Sequence, residues 1–150
     1  MTGRSTEHGT FMIERSFPVA PARVFAAWSS AAAKSKWFGP PRSSEDVELD
    51  FQIGGRERFV AEGPDGGRYT YVALYQDIVP EQRIVYTYEM YRDQDRISVS
   101  VATIELTPAE QGTMLTVTEQ GVFLDGLDTV AQREHGTRVL IEQLAESVGS

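Results

Sequence analysis

Five tyrosines on two neighbouring stretches carry the densest chemistry in the chain. "RYTYVALYQDIV" sets Tyr69, Tyr71 and Tyr75 at even spacing, and "RIVYTYEMY" does the same for Tyr86 and Tyr88. Even spacing puts each set on one face of an extended strand. A buried phenol offers an apolar ring and a hydroxyl that needs a partner, which is the mixed surface of a ligand pocket. Met90 follows on the same face as adaptable filling. The plain alternative is ordinary strand composition, because aromatic residues favour strands. Upstream, "KSKWFGPPRSS" places Trp37 beside Phe38 at the end of a helical stretch, and Gly39-Pro40-Pro41 then turns the chain into a surface loop. Such rings either fill a core or wall a pocket. Trp28 sits mid-stripe and reads as core; Trp37, beside the loop, reads as wall.

Other chemistry is sparse. The chain has no cysteine, which excludes disulfides, thiol catalysis and thiolate metal sites together. Its two histidines, His8 and His135, cannot supply a three-ligand metal site by themselves, so neither metal nor cofactor is expected. His135 can serve as an acid–base group or a pocket-rim residue, or can simply bond a backbone carbonyl on a helix face. Glu48 and Asp50 alternate with Val47, Leu49 and Phe51, so they face water, a poor place for paired-carboxylate catalysis. Arg56 and Arg58 alternate likewise. "GPDGG" precedes a strand rather than a helix and is a hairpin turn, and no G-x-S-x-G elbow occurs.

The elements that must position these residues follow from the pattern. At 150 residues, 41% hydrophobic and 24% charged, the chain has the size and composition of one soluble domain. A net charge of -8 argues against nucleic acid and against an anionic membrane surface. No apolar run could span a bilayer, and "MTGRSTEHGT" has no secretory h-region, so residues 1–10 read as a flexible tail and the protein as cytoplasmic. "FMIERSFPV" predicts a strand, and Pro21 opens a short helix over "PARVFAAW". Ser29 or Ser30 caps a second over "AAAKSKWF". From Glu45 the rhythm changes to period two, and six strands with short connections imply an antiparallel meander. Asp125 or Asp128 is the expected cap of a last helix, with Thr137, Leu140, Ile141, Leu144 and Val148 on one stripe and Gly136 as a potential kink. Residues 11–150 thus make one α+β domain.

The fragments "FPVAPARVFAAWSS", "KWFGPP", "VELDFQIGG", "PEQRIVYTYE", "GTMLTVTEQGV" and "HGTRVLIEQL" occur in an order and at spacings that resemble one family. It is the activator of heat-shock-protein-90 ATPase-like branch of the START/Bet v 1-like (SRPBCC) superfamily, and the resemblance covers about residues 11–148. It implies a helix-grip fold: a curved antiparallel sheet around a long C-terminal helix, with two short helices closing one end and an apolar cavity between them. Trp28, Trp37 and Phe38 would roof that cavity. The chain departs from the family pattern twice. Where Gly-Trp is usual it has Gly136-Thr137, which frees volume on the stripe facing the sheet. Two positions after Gly55 it has Glu57 instead of an aromatic, on the face of Phe59 and Ala61. A buried Glu57 needs an Arg, a hydroxyl or a ligand cation; otherwise a bulge turns it to water.

These readings favour a non-enzymatic binding protein for a small hydrophobic or aromatic molecule. The candidate wall residues are Trp28, Trp37, Phe38, Phe59, Tyr71, Tyr75, Tyr86, Tyr88, Met90 and Thr137, with Glu57 and His135 as polar selectors. The resemblance also admits an enzyme of the polyketide cyclase or hydratase kind using Glu57, His135 and the tyrosines. A co-chaperone role with heat-shock protein 90 is disfavoured, since the eukaryotic members pair this domain with another. An exposed edge strand could pair in a homodimer.

Overall fold

Each alternating stretch of the sequence forms a strand in the computed structural model, which describes residues 3–149. The strands are β1 (Thr6–Phe17), β2 (Val47–Leu49), β3 (Arg56–Glu62), β4 (Arg68–Val79), β5 (Arg83–Arg92), β6 (Asp95–Ala109) and β7 (Gly112–Leu124). They form one seven-stranded antiparallel sheet in the order β1-β7-β6-β5-β4-β3-β2. Two short helices, α1 (Pro21–Ala26) and α2 (Ala31–Lys34), connect β1 to β2, and a long helix, α3 (Val130–Val148), follows β7. The architecture is the α+β helix grip that the sequence implies.

The concave face of the sheet and α3 share one core. Ile141, Leu144, Ala145 and Val148 of the helix meet Phe11, Ile13, Ile84, Ile104, Leu115 and Val117 of the strands. Small residues break up the inward face. In one row across the sheet, Tyr75 pairs with Tyr86, Tyr86 with Ala102, and Ala102 with Glu119. In the next, Glu57 pairs with Ala73, Ala73 with Tyr88, Tyr88 with Ser100, and Ser100 with Gly121. Alternating large and small side chains across a curved sheet gives the rings room to lie inward.

Pro21 occupies the first turn of α1, and Ser30 caps α2 by accepting a hydrogen bond from the Ala33 N–H at 3.1 Å. Three expectations need correction. Residues 6–10, read as tail, extend β1 and pair with residues 120–124 of β7. This edge segment is held by backbone hydrogen bonds and shows no apolar alternation, so the pattern could not reveal it. Of the rest of that tail, residues 1 and 2 lie outside the described residues. The cap of α3 is Thr129, whose side chain accepts from the Gln132 N–H, rather than Asp125 or Asp128. Finally, α3 runs for 19 residues without a break at Gly136. Among the described residues, no helix is long and apolar enough to cross a membrane.

Candidate functional site

A cavity of about 200 Å³ lies between the concave sheet, α3 and the turn that follows α2. From the helical side it is bounded by Trp28, Trp37 and Phe38, and from the sheet by Tyr71, Tyr86, Tyr88 and Met90. Ile104, Val117 and Glu119 extend the sheet wall, and Arg133, Gly136, Thr137, Leu140 and Ile141 close it from α3. The rings form a continuous series. Trp28 and Trp37 have centroids 4.6 Å apart, Trp37 and Phe38 5.6 Å, Phe38 and Tyr71 5.3 Å, and Tyr71 and Tyr88 5.1 Å. The first three pairs are edge-to-face, the arrangement that ring quadrupoles favour. Trp37 is fixed by its indole N–H, which donates to the Ala27 carbonyl at 2.9 Å and so ties the turn after α2 to the end of α1.

One end of the cavity is polar. Glu119 is 5% exposed and accepts a 2.5 Å hydrogen bond from the Tyr88 hydroxyl. Its second oxygen accepts from Thr137 at a long 3.4 Å. Arg133 donates to Tyr88 at 3.0 Å, to Ser98 at 2.8 Å and to Asp128 at 2.8 Å. Asp128 also accepts from the Thr129 N–H, so the residue expected to cap α3 anchors Arg133 instead. Burial pushes the Glu119 carboxyl above its ordinary range, against the opposing pull of Tyr88 and Arg133. Burial likewise pushes the phenols of Tyr71 and Tyr86 well up, with neighbouring carboxylates and phenols adding to the effect. These hydroxyls therefore keep their protons at neutral pH.

A second buried polar group sits behind the ring wall. Lys34 donates to Glu57 at 2.8 Å, and the Tyr75 hydroxyl donates to the same oxygen at 2.7 Å. Phe38 separates this group from the cavity, bordering both the cavity and a cleft of about 50 Å³ beside Lys34 and Glu57.

The structure brings Trp28, Trp37, Phe38, Tyr71, Tyr86, Tyr88, Met90 and Thr137 to the cavity wall. It places four other candidates elsewhere. Glu57 is buried, neither bulged to water nor facing the cavity, because Lys34 and Tyr75 satisfy it. Tyr75 is turned to Glu57 and packs on Phe51. Phe59 stacks edge-on against Phe38 from the cleft side. His135 is exposed on α3 and does not line the cavity. Tyr69 also lies apart, at the hairpin, where it donates to Asp65.

Glu119, Arg133 and Lys34 escaped the reading of the sequence. Glu119 could have been found, since Leu115, Val117 and Glu119 keep one alternation. Arg133 extends the α3 stripe back from Thr137 by one turn. Lys34 gave no signal, because a cation on a four-residue helix ordinarily faces water.

Residues 18–149 match the family model described as Activator of Hsp90 ATPase homolog 1-like protein. Among solved structures, a protein from Rhizobium leguminosarum is similar with a TM-score of 0.91 and 42% identity, over 98% of each chain. The Mll3558 protein from Rhizobium loti is similar with a TM-score of 0.89 and 43% identity, over 95% of this chain and 99% of that one. DynU16, a protein of the dynemicin biosynthetic locus, shares the fold with a TM-score of 0.70 at 17% identity, over 94% of this chain and 47% of its own. The comparison with curated proteins gives no match.

Proposed function

Because the chain belongs to the family of Activator of Hsp90 ATPase homolog 1-like proteins, we propose that its helix grip serves as a receptor for one small apolar or aromatic molecule. The observation that carries this reading is the cavity of about 200 Å³ between sheet and helix, walled mostly by rings and aliphatic side chains. An apolar cavity of about 150 Å³ suffices for benzene, so the space suits a molecule of one or two fused rings. A short side chain at position 137 keeps that space open.

The chain reports on its own cavity. Its only two tryptophans, Trp28 and Trp37, both border it. Titration with one- and two-ring aromatics is expected to shift or quench their emission with saturation at one equivalent. Native mass spectrometry of the protein as purified tests whether a molecule is already carried. A protein that carries nothing and whose emission no aromatic probe alters ends this reading.

A catalytic reading is supported by one feature, the Glu119 carboxyl on the cavity wall with Tyr88 hydrogen-bonded to it. Burial raises this carboxyl above its ordinary range, the direction that suits a general acid–base group. Turnover that vanishes in Glu119→Gln while the variant still binds ligand would favour it. The acid–base candidates expected from the sequence do not serve this reading, since Glu57 is held by Lys34 and His135 is outside the cavity.

A further inference from the structure

Two buried polar groups of cavity-wall residues have no hydrogen-bond partner among the described residues: the indole N–H of Trp28 and the hydroxyl of Tyr71. Both side chains are almost wholly buried, at 4% and 6% exposure. Tyr88, Arg133, Glu119 and Thr137 bond to one another or to Ser98 and Asp128, and the remaining polar wall group, the Tyr86 hydroxyl, lies beside Tyr71. The orphaned pair lies among the rings instead, where Trp28 packs on Trp37 and Tyr71 packs on Phe38 and Tyr88.

The chemistry of the missing partner follows from the donors. An indole N–H can only donate. The Tyr71 phenol keeps its proton, because burial and the nearby carboxylate and phenols push its titration far above neutrality. Two donors without acceptors call for an acceptor, and a carbonyl oxygen, with two lone pairs, can take both. Charge narrows the choice further. The buried cations near the rings are already engaged, Lys34 by Glu57 and Arg133 by Asp128, Ser98 and Tyr88. A carboxylate or phenolate ligand would therefore be buried without a free cation among the described residues to pair with.

Resting on the receptor reading above, we propose that the ligand is a neutral aromatic carbonyl compound, such as a ketone, quinone or lactone, whose oxygen accepts from Trp28 and Tyr71. Buried donors left without partners select strongly for the ligand that completes them, and only weakly by size.

The test compares 1-indanone with indane, two probes of nearly equal shape that differ in the carbonyl, by calorimetric titration of the intact protein. The wild type is expected to bind the ketone at least about tenfold more tightly, and Tyr71→Phe to remove most of that preference. Trp28→Phe should act in the same way; if it fails to fold, Tyr71→Phe carries the test alone. The infrared carbonyl stretch of bound 1-indanone is expected to fall to lower frequency in the wild type and to recover in Tyr71→Phe. Equal binding of both probes by the wild type overturns this proposal and leaves the receptor reading standing. So does a ketone preference that survives in the folded variants, which would assign the donor to Tyr86, Arg133 or Thr137. Binding of neither probe, with no response to other aromatics, overturns the receptor reading itself.

Discussion

Lys34 and Glu57 form an ion pair at 2.8 Å with side chains 4% and 3% exposed, inside a wall of aromatic rings. The ammonium lies 4.3 Å from the centroid of Phe38, and within 6.0 Å of Trp28, Trp37, Tyr71 and Tyr86. Taking two charges out of water is offset here by their mutual attraction, by the Tyr75 hydroxyl and by the ring faces. Removing one partner strands the other. Lys34→Met or Glu57→Gln alone is expected to destabilise the protein by about 3–5 kcal/mol. The double variant should recover most of that loss, since Gln can still accept from Tyr75 and no charge remains buried. Urea denaturation of the three variants checks this, and additive losses in the double variant would refute it.

Burial raises the Glu119 carboxyl above its ordinary value of 4.5, and this sets the sign of one pH dependence. Below 4.5 the group is protonated whether the chain is folded or not. Above it the unfolded chain loses this proton first, so the folded protein holds the extra proton. Stability therefore falls with rising pH until the folded carboxyl also ionises, and is level beyond. Other carboxyls oppose the trend: Arg42 lowers Asp46, Arg96 lowers Glu89 and Arg15 lowers Glu142. Only the difference between wild type and Glu119→Gln isolates the effect. The variant, whose amide oxygen can still accept from Tyr88, is expected to gain stability relative to wild type as pH rises from 4.5. Denaturation curves from about pH 4 to 8 that differ by a constant amount would contradict this.

The sequence made the architecture legible wherever one periodicity governed a whole element. Period-two alternation located the six strands after the short helices, because each strand has one face buried in the core shared with the helices. The α3 stripe from Thr137 to Val148 was equally plain. The site was legible to the extent that it is built of bulky rings, since a ring of that size on the inward face must meet either core or cavity. Polar members were harder. The alternation leaves Glu57 either on an inward face or bulged to water, and the partner that holds it inward, Lys34, comes from a four-residue helix followed by the turn that Trp37 anchors to Ala27. Asp128, one of the two expected caps of α3, is drawn to Arg133 by charge, and Thr129 caps the helix instead. These are long-range pairings, and local spacing does not encode them.

Gly54 and Gly55 differ in what they tolerate. Gly54 has φ +83°, a backbone region that disfavours a side chain, yet a Cβ there would meet no atom within 4 Å. Gly55 has no such backbone need, but a Cβ would lie 2.1 Å from the Asp50 carbonyl oxygen. The pair is also bonded to β4: the Gly54 N–H donates to the Tyr75 carbonyl at 2.8 Å, and the Tyr75 N–H donates to the Gly55 carbonyl at 2.9 Å. Gly54→Ala is expected to cost about 1 kcal/mol, the price of a left-handed alanine. Gly55→Ala should cost about 3 kcal/mol or more, because backbone cannot yield without displacing Tyr75 from Glu57. Thermal unfolding of both variants ranks them, and the reverse order would show that the turn can shift.

Thr137 is the small residue that leaves room on the α3 side of the cavity, and its hydroxyl donates a 3.4 Å hydrogen bond to Glu119. Thr137→Trp puts an indole into the space between α3 and the tyrosines of β5. Filling an existing void adds dispersion contacts and removes little, so the variant is expected to be more stable by about 0.5–2 kcal/mol. The same ring excludes any guest. Binding of 1-indanone or of a co-purifying molecule should fall at least about a hundredfold, while Thr137→Val, which removes the hydroxyl but not the space, should keep it within about threefold. Calorimetric titration and thermal unfolding of the two variants separate volume from hydrogen bonding. Undiminished binding by a folded Thr137→Trp would place the ligand outside this cavity.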